Sequence, residues 1–530
     1  MALDQEGTEN SWNIFNVAVV IAGSTALLLW KHSSVATTAC KITETNNKPP
    51  QCDLSLKEWL GNFFSPRLPL WIAELLFDQM KCNVIQAPKI PLAPPFYVVG
   101  DGTTARRVLE ATCSTKWAPA NQFFIDTTNG MNFIAAEGHR WKHVRKSLGV
   151  CFHPNNLSKM VDRIQIITQE WMKDRLELEP SDKIDILQEM NRITSSVICD
   201  VAFDYPLSAA ERAITLQNLE TCWQEFGTND GKNIWRQFRI TAWMFPGKRK
   251  ARAAARGMYQ LCQTMLDQYR QKSTQHQLET QHKIIHTVLH DSDYENDQER
   301  IVDMVALVIA GFDTTANTLA FCFRELAQDI NLQQQLRREL LNSSTNTGST
   351  VSSTSTSGTY PPLLHNIVKE TLRLYPAAAA GSVRVLGKDI PTTLTRTTNN
   401  DVPTSTTASE KTNATIPAGS LVLTSYYAIQ RNPNVYPHAN EFLPSRWDAD
   451  STANQGLTPE QTKQQSMDVM TFSLGKRNCL GQALATAELY EVLAQIIMQY
   501  EFKVVELGQP ENLVLFKPVG TILAATKIVE

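Results

Sequence analysis

The 530-residue chain carries ten cysteines, at 40, 52, 82, 113, 151, 199, 222, 262, 322 and 479, yet has no Cys-x-x-Cys pair among them. Scattered thiols of this kind read as reduced cysteines rather than a disulfide framework. Excess positive charge is also missing: Lys and Arg number 50 against 53 Asp and Glu, for a net charge of −3. That balance argues against a nucleic-acid binder, which is usually basic overall. Nor does any uninterrupted apolar run reach the roughly 20 residues that cross a bilayer. The nearest, Ile14 to Trp30, is broken by Asn16, Gly23, Ser24 and Thr25. What remains, 42% hydrophobic and 19% charged, is an ordinary globular composition. By length alone it has room for three or four domains.

One cysteine stands apart. Phe472-Ser-Leu-Gly475-Lys-Arg477-Asn-Cys479-Leu-Gly481 sets Cys479 in a glycine-flanked loop that runs into a helix-forming stretch beginning at Gln482. A thiolate there would meet free backbone N–H groups and the positive end of a helix dipole, both of which lower a thiol's pKa. A lone cysteine with no cysteine or histidine beside it suits neither zinc nor an iron–sulfur cluster; it suits haem iron held by one proximal sulfur. The ordinary reading of an isolated free cysteine is a small buried hydrophobe.

Three other patterns accompany the loop. Ala310-Gly311-Phe312-Asp313-Thr314-Thr315 follows the largely apolar run Ile301 to Ile309. Asp and Thr favour helix caps over helix interiors, but good helix formers continue from Ala316 to Glu325, which places the polar triplet in mid-helix. Buried polar groups there need partners or a task. Glu370 and Arg373 stand at i,i+3 among Ile367, Val368, Leu372 and Leu374, ahead of Tyr375-Pro376, which stops the helix. A pair so embedded reads as a structural ion pair rather than a solvated one. Trp141 and Arg145, at i,i+4, offer an indole N–H and a guanidinium that suit a carboxylate; the bland alternative is an amphipathic helix with a core Trp and a surface Arg.

In their order these motifs resemble the cytochrome P-450 family, and the resemblance covers residues from about 90 to 530. It implies a mainly α fold with small β-sheets (α+β), one large helical domain holding haem b between the oxygen-binding helix and the cysteine loop. It implies Cys479 as the axial ligand of iron, with Phe472 and Gly481 of the same loop as further cofactor-binding residues. Asp313 and Thr314 become the proton-delivery pair, and Val308, Ala310, Gly311 and Ala377 to Gly381 the cavity roof. Trp141, Arg145, Arg384 and Arg477 become propionate partners. Arg446 joins Glu370 and Arg373 as a third structural member, although Ser445 stands where the family often has an acid. The implied function is a haem-thiolate monooxygenase that inserts one atom of O2 into a lipophilic substrate: a sterol, fatty acid, terpenoid or xenobiotic. Electrons would come from NADPH through a flavoprotein reductase docked on Arg140, Lys142, His143, Arg145, Lys146 and Lys476. Two rivals are a haem-thiolate isomerase or dehydratase of lipid hydroperoxides and a non-catalytic haem sensor. The acid–Thr pair argues against the first.

The expected organisation is a lumenal N-terminus (1–13), a transmembrane anchor (14–30), a linker (31–60) and the catalytic domain (61–530). As a helix the 17-residue stretch spans roughly 25 Å, short of a ~30 Å hydrocarbon core. Acidic residues before it and Lys31 after it place the domain in the cytosol, on the endoplasmic reticulum membrane. A plastid or other organelle membrane, and an organelle-targeting presequence, are the alternatives. Two Ser/Thr-rich segments, 342–359 and 391–415, are expected to be disordered insertions.

Overall fold

The computed structural model describes Ile42–Thr43 and residues 48–528, apart from 64, 66, 91–92, 112–114, 117, 179–182, 230–243, 347–359, 398–408, 449–450 and 513. The expected anchor at 14–30 lies outside the described residues. The helices that place the site are α1 (Gly102–Glu110), α2 (Gly138–Gly149), α3 (Pro154–Trp171), α4 (Ile186–Phe203), α5 (Ala209–Cys222), α6 (Pro246–Gln271), α7 (Asp297–Gln328), α8 (Pro362–Leu374) and α9 (Gln482–Gln499).

Helix α7 is the axis. It starts where the Asn296 side chain accepts the Glu299 N–H at 3.0 Å, with Asp297 and Glu299 set favourably in the positive first turn. It then runs 32 residues without a break at the Asp313-Thr314-Thr315 triplet. The capping alternative fails there because the two hydroxyls are absorbed by the helix: Thr314 donates to the Ala310 carbonyl at 2.9 Å and Thr315 to that of Gly311 at 3.1 Å. Among the described residues α7 is the one helix long and apolar enough to cross a membrane, but it lies buried in the core. Helices α3, α4, α6 and α9 surround it in one continuous apolar cluster that includes Ile193, Phe203, Met265, Phe323 and Val492. At Gly311 a Cβ would fall 2.6 Å from the Ile198 side chain of α4, so the glycine permits the close crossing.

A mixed sheet packs beside this body. Its strands are β1 (Ile42–Thr43), β2 (Gln51–Cys52), β3 (Val84–Gln86), β4 (Phe96–Val99), β5 (Thr115–Lys116), β6 (Ser382–Val385) and β9 (Leu421–Thr424), in the order β1-β2-β3-β4-β9-β6-β5. The central pair, β4 and β9, is parallel and in register from Phe96↔Leu421 to Val99↔Thr424. Its residues are apolar almost throughout, as expected of strands covered on both faces. A second apolar cluster with Trp59, Trp71, Leu75 and Val98 fills the space on one side of the sheet.

The expected disorder of 391–415 is corrected at both of its ends. β7 (Ile390–Thr397) and β8 (Ser409–Ile416) pair antiparallel from Ile390↔Ile416 to Thr397↔Ser409. Threonine is β-branched and suits a pleated strand, so a composition low in large apolar residues still forms a ladder. Likewise a helix, Ile330–Asn346, runs into the start of the 342–359 segment.

Glu370 and Arg373 form the buried pair expected of them. The carboxylate accepts from Arg373 at 2.7 and 2.9 Å, from the Arg446 Nε at 3.3 Å, from the Trp447 indole at 3.1 Å and from the Leu443 N–H at 3.1 Å. Arg373 also donates to the carbonyls of Gln430, Ala439 and Glu441, tying α8 to the segment ahead of the cysteine loop. All three side chains are fully buried. Glu370→Gln leaves two buried guanidiniums without their counter-charge, and breaking such a cluster costs about 3–5 kcal/mol. The urea midpoint is expected to fall accordingly; an unchanged midpoint would show that the cluster adds no net stability.

Candidate active site

The cysteine loop is held from three sides. The Cys479 N–H donates to the Phe472 carbonyl at 2.8 Å, closing the loop. Ser473 and Gly475 take positive φ values of 59° and 71° to turn it. At Gly475 a Cβ would sit 2.6 Å from the Leu109 carbonyl oxygen, so the loop presses directly on α1. On the α2 side, Arg145 donates to the Asn478 carbonyl at 2.7 Å and to the Asn478 side chain. Gly481 then caps α9.

Cys479 is the one described cysteine with free surface, and that surface faces an internal cavity. The cavity is bounded by the loop, by Leu307, Ala310, Gly311, Thr314, Thr315 and Thr318 of α7, by Leu484, Ala485 and Glu488 of α9, and by Phe133, Ile134, Ala377 and Ala378. The expected fall in the Cys479 pKa is corrected. Burial pushes the thiol up, while the Gly481 N–H and the Arg145 charge pull the other way. In the protein alone, desolvation outweighs the helix terminus.

One edge of the cavity is strongly cationic. Arg477 lies over the Trp141 ring, 3.8 Å from its centroid, and donates to the Ala136 carbonyl at 2.8 Å and to Glu137. Its Nη1 is buried without a partner. Lys116, which sequence reasoning missed, donates to the Ile134 carbonyl at 2.7 Å and also lines the cavity. Burial, then Arg384 and Arg477, depress its pKa to about 7 against the pull of Glu137. Arg384 is buried on β6 beside Lys116 on β5. A lysine on a two-residue strand has no sequence signal; only the pairing of β5 with β6 makes it a neighbour. Three cations with Glu137 as the acid among them call for an anion, and the remaining wall is mostly apolar. At Gly481 a Cβ would meet no protein atom within 4 Å, which leaves open space beside the sulfur. Sulfur at one wall, cations at the edge and apolar faces between them fit a haem with its carboxylates at the cationic edge.

Other expected site residues lie elsewhere. Thr314 reaches the cavity; Asp313, 2% exposed, does not line it. The Asp313 carboxylate accepts from the Trp223 indole at 2.7 Å and from Asn317 at 3.3 Å, and faces Lys517 at 3.7 Å. Lys517 in turn lies 3.4 Å from the exposed carboxylate of Glu220. Neither Val308 nor Ala379 lines the cavity. Gly381 is a glycine for its φ of 86° and its approach to the Thr424 carbonyl, not for cavity room. Glu370, Arg373 and Arg446 belong to the scaffold. The expected basic docking face is reduced: Arg140 pairs with Glu299 at 2.9 Å and Asp303 at 3.1 Å, and His143 with Asp291 at 2.9 Å and Asp293 at 2.6 Å. Lys142, Lys146 and Lys476 remain exposed. Asp303 was also missed; fully buried, it accepts from the Phe133 N–H at 2.6 Å and the Tyr294 hydroxyl at 3.0 Å, fixing the cavity wall.

The family model described as Cytochrome P450 matches residues 92–527. The chain is 32% identical over 204 residues to 25-hydroxyvitamin D-1 alpha hydroxylase, mitochondrial, of Homo sapiens, covering 38% of this chain and 34% of that one. It is 27% identical over 213 residues to sterol 26-hydroxylase, mitochondrial, of Mus musculus, covering 38% and 33%. The match thus spans about a third of each relative's length. A crystal structure of a cytochrome P450 superposes with a TM-score of 0.68 at 17% identity, covering 92% of this chain and 100% of that one, which establishes the fold. Both relatives are mitochondrial by name, which overturns the assignment to the endoplasmic reticulum membrane. An apolar stretch too short for a full bilayer crossing carries no information about which membrane is involved.

The Lys116 shift has a sign that stability reads. Its folded-state pKa lies below that of the unfolded chain, so between pH 7 and pH 10 the unfolded state binds more protons and stability rises with pH. The urea midpoint of haem-free protein is therefore expected to rise from pH 7 to pH 9, and Lys116→Met to remove that rise. An equal pH slope in the variant would mean that Lys116 titrates as an ordinary lysine.

Proposed function

This chain belongs to the cytochrome P450 family, and from that premise we propose that it is a haem-thiolate monooxygenase that inserts one atom of O2 into a sterol-like lipophilic substrate. The observation that carries the reading is Cys479, whose free surface faces a largely apolar cavity opposite Thr314 and beside an undercompensated cationic edge. Haem b would be held through its iron by the Cys479 thiolate and, when bound, would supply the oxygen chemistry.

The chain's own residues bind, exclude water and hold protons. Arg477, Lys116 and Arg384 would neutralise the cofactor's carboxylates, and Trp141 stacks under Arg477 and fixes its plane. Arg145 holds the cysteine loop through Asn478. Phe133, Ile134, Leu307 and Ala310 give the cavity apolar walls that would exclude water. The Thr314 oxygen donates its proton to the helix and keeps lone pairs for a proton donor in the cavity. Asp313 stands behind it on α7 and connects through Lys517 to Glu220 at the surface, a route by which protons are replaced.

The hydroxylases of vitamin D and sterols among the relatives support a sterol-class substrate and a mitochondrial location. Electrons come from NADPH through a reductase system. Its acidic docking partner would meet Lys142, Lys146 and Lys476, on the side where an outward groove between α3 and α9 also reaches the sulfur.

A panel of sterols, fatty acids and terpenoids, read by the haem spin-state shift and by reductase-driven hydroxylation, tests the reading. Hydroxylated sterol is expected from the wild type, and Cys479→Ser is expected to lose the red-shifted Soret band of the reduced, CO-bound form. A band retained in that variant removes Cys479 as the ligand, and turnover without NADPH removes the monooxygenase reading.

Within that reading Thr314→Ala is expected to keep consuming O2 while product falls and peroxide replaces it. Asp313→Asn is expected to slow turnover with less peroxide, because it acts on proton supply behind the helix. Unchanged product per O2 in both variants would take these two residues out of the mechanism.

A further inference from the structure

His143, on α2, stands between two acids that the oxygen chemistry does not use. Asp291 and Asp293 come from the turn between the short helix Ile284–His290 and α7. The His143 Nε2 lies 2.9 Å from an Asp291 oxygen, and its Nδ1 lies 2.6 Å from an Asp293 oxygen. Both nitrogens of one imidazole thus face carboxylates. A neutral imidazole has a single N–H, and its other nitrogen presents a lone pair, which repels a carboxylate. The arrangement therefore needs a cation, either a second ring proton or a metal ion. Charge stays short even with that proton. Among the described residues His143 is the one cationic side chain within ion-pair distance of Asp291 or Asp293. Arg140 pairs instead with Glu299 and Asp303, and Arg300 with Asp297. The turn itself is held in shape. Arg300 donates to the carbonyls of Asp291 and Tyr294 at 3.3 and 3.4 Å, and the Asp293 N–H donates to the Asp291 carboxylate at 3.0 Å. Burial pushes the Asp291 carboxyl up, but the Ser147 hydroxyl, the Asp293 N–H and His143 together hold it below the usual carboxylate range. It is ionised, as a metal ligand must be, at neutral pH.

We propose that His143, Asp291 and Asp293 form a binding site for a divalent first-row transition ion of the Zn2+ type, which pins α2 to the turn ahead of α7. One ligand atom from each of the three side chains lies within 4.8 Å of the other two. One imidazole nitrogen with two carboxylate oxygens suits Zn2+, whereas Mg2+ and Ca2+ favour oxygen alone. Two charges on the ion match two carboxylates, and the lone pair that opposed an acid becomes a ligand. Side chains 29% exposed at His143 and 43% at Asp293 let an ion in and leave a position for water. Binding moves no electron; His143 ligates as a neutral imidazole, and a ring proton displaced by the ion passes to water. None of the three residues lines the cavity, so the site is separate from the one beside Cys479 and does not depend on the monooxygenase reading. Helix α2 also carries Trp141 and Arg145, so the ion braces the helix that grips the cysteine loop.

The test titrates Zn2+ into the haem-loaded full chain, with no turnover, and reads bound metal by equilibrium dialysis. A single tight equivalent is expected. X-ray absorption at the zinc edge is expected to show nitrogen and oxygen at about 2.0–2.2 Å and no sulfur at about 2.3 Å. Removing a ligand in His143→Ala or Asp293→Asn is expected to weaken binding by more than the ~10–100-fold that loss of an outer-shell partner costs. Zinc is expected to raise the urea midpoint of the wild type and not that of Asp293→Asn, because the ion binds only the folded chain. The stacked pair His286 and His290, 4.2 Å apart between ring centroids, is the rival zinc site. Substituting both by Ala is expected to leave the tight equivalent in place. If His143→Ala does not fold, Asp293→Asn, altered at an exposed position on a turn, decides alone. No tight equivalent in the wild type, a sulfur shell, binding unchanged in Asp293→Asn, or loss of the equivalent with His286 and His290 would each overturn the proposal.

Discussion

Everything in this structure answers one requirement: a single sulfur must stay unpaired, fixed in place and open to the interior. Seven other described cysteines are sealed in apolar packing, where burial keeps them inert. Cys479 alone has free surface, because its loop cannot relax into the space before it. Gly475 rests on the α1 backbone, Arg145 grips Asn478 from α2, and Gly481 starts α9. The isolated chain does not provide a ready thiolate. Burial opposes ionisation, so on the proposed reading the charge on sulfur would be stabilised mainly by the iron that it holds.

Buried charge is handled in two contrasting ways. Around Glu370 each charge is matched: two guanidiniums meet one carboxylate, and backbone carbonyls take the remaining N–H groups. That is a structural solution, complete without any ligand. Around Lys116 the sum is left open, with Arg384 and Arg477 close by, Glu137 as the named acid and an orphaned guanidinium nitrogen. An unfinished cluster of that sort is costly in the empty protein and becomes favourable when an anion completes it. The difference between the two clusters separates scaffold from binding site more clearly than burial does, since both are buried.

Helix α7 divides the chemistry between its faces. Successive residues point about 100° apart, so Thr314 enters the cavity while Asp313 turns to Trp223 and Lys517. Trp223 follows directly on α5 and stacks on Phe123, and Lys517 comes from the short strand Phe516–Pro518. The acid on α7 thereby links the middle of the core helix to the elements packed over it. On the proposed reading, a proton entering by Glu220 would pass through that seam.

The cysteine loop, the helix that continues through its polar triplet and the Glu370–Arg373 pair with Arg446 were all legible in the sequence. Each is local: a glycine-flanked loop, a run of helix formers or an i,i+3 spacing carries its own physical reason. The mainly α fold followed from the family resemblance that these motifs carry. What stayed hidden depends on distant segments meeting. Lys116 joins the site because β5 pairs with β6, and Asp303 matters because it meets Phe133, Arg140 and Tyr294. Asp313 leaves the cavity wall because of how α7 is rotated, and Glu488 enters it because of how α9 is. Arg140 and His143 looked like free positive charge until their acidic partners arrived from other elements. Sequence by itself determined which residues can do the chemistry, since spacing and residue type set local backbone and donor inventory. Tertiary structure alone decided which of them face one another, because burial, charge balance and the direction of a side chain are properties of packed neighbours and not of the chain.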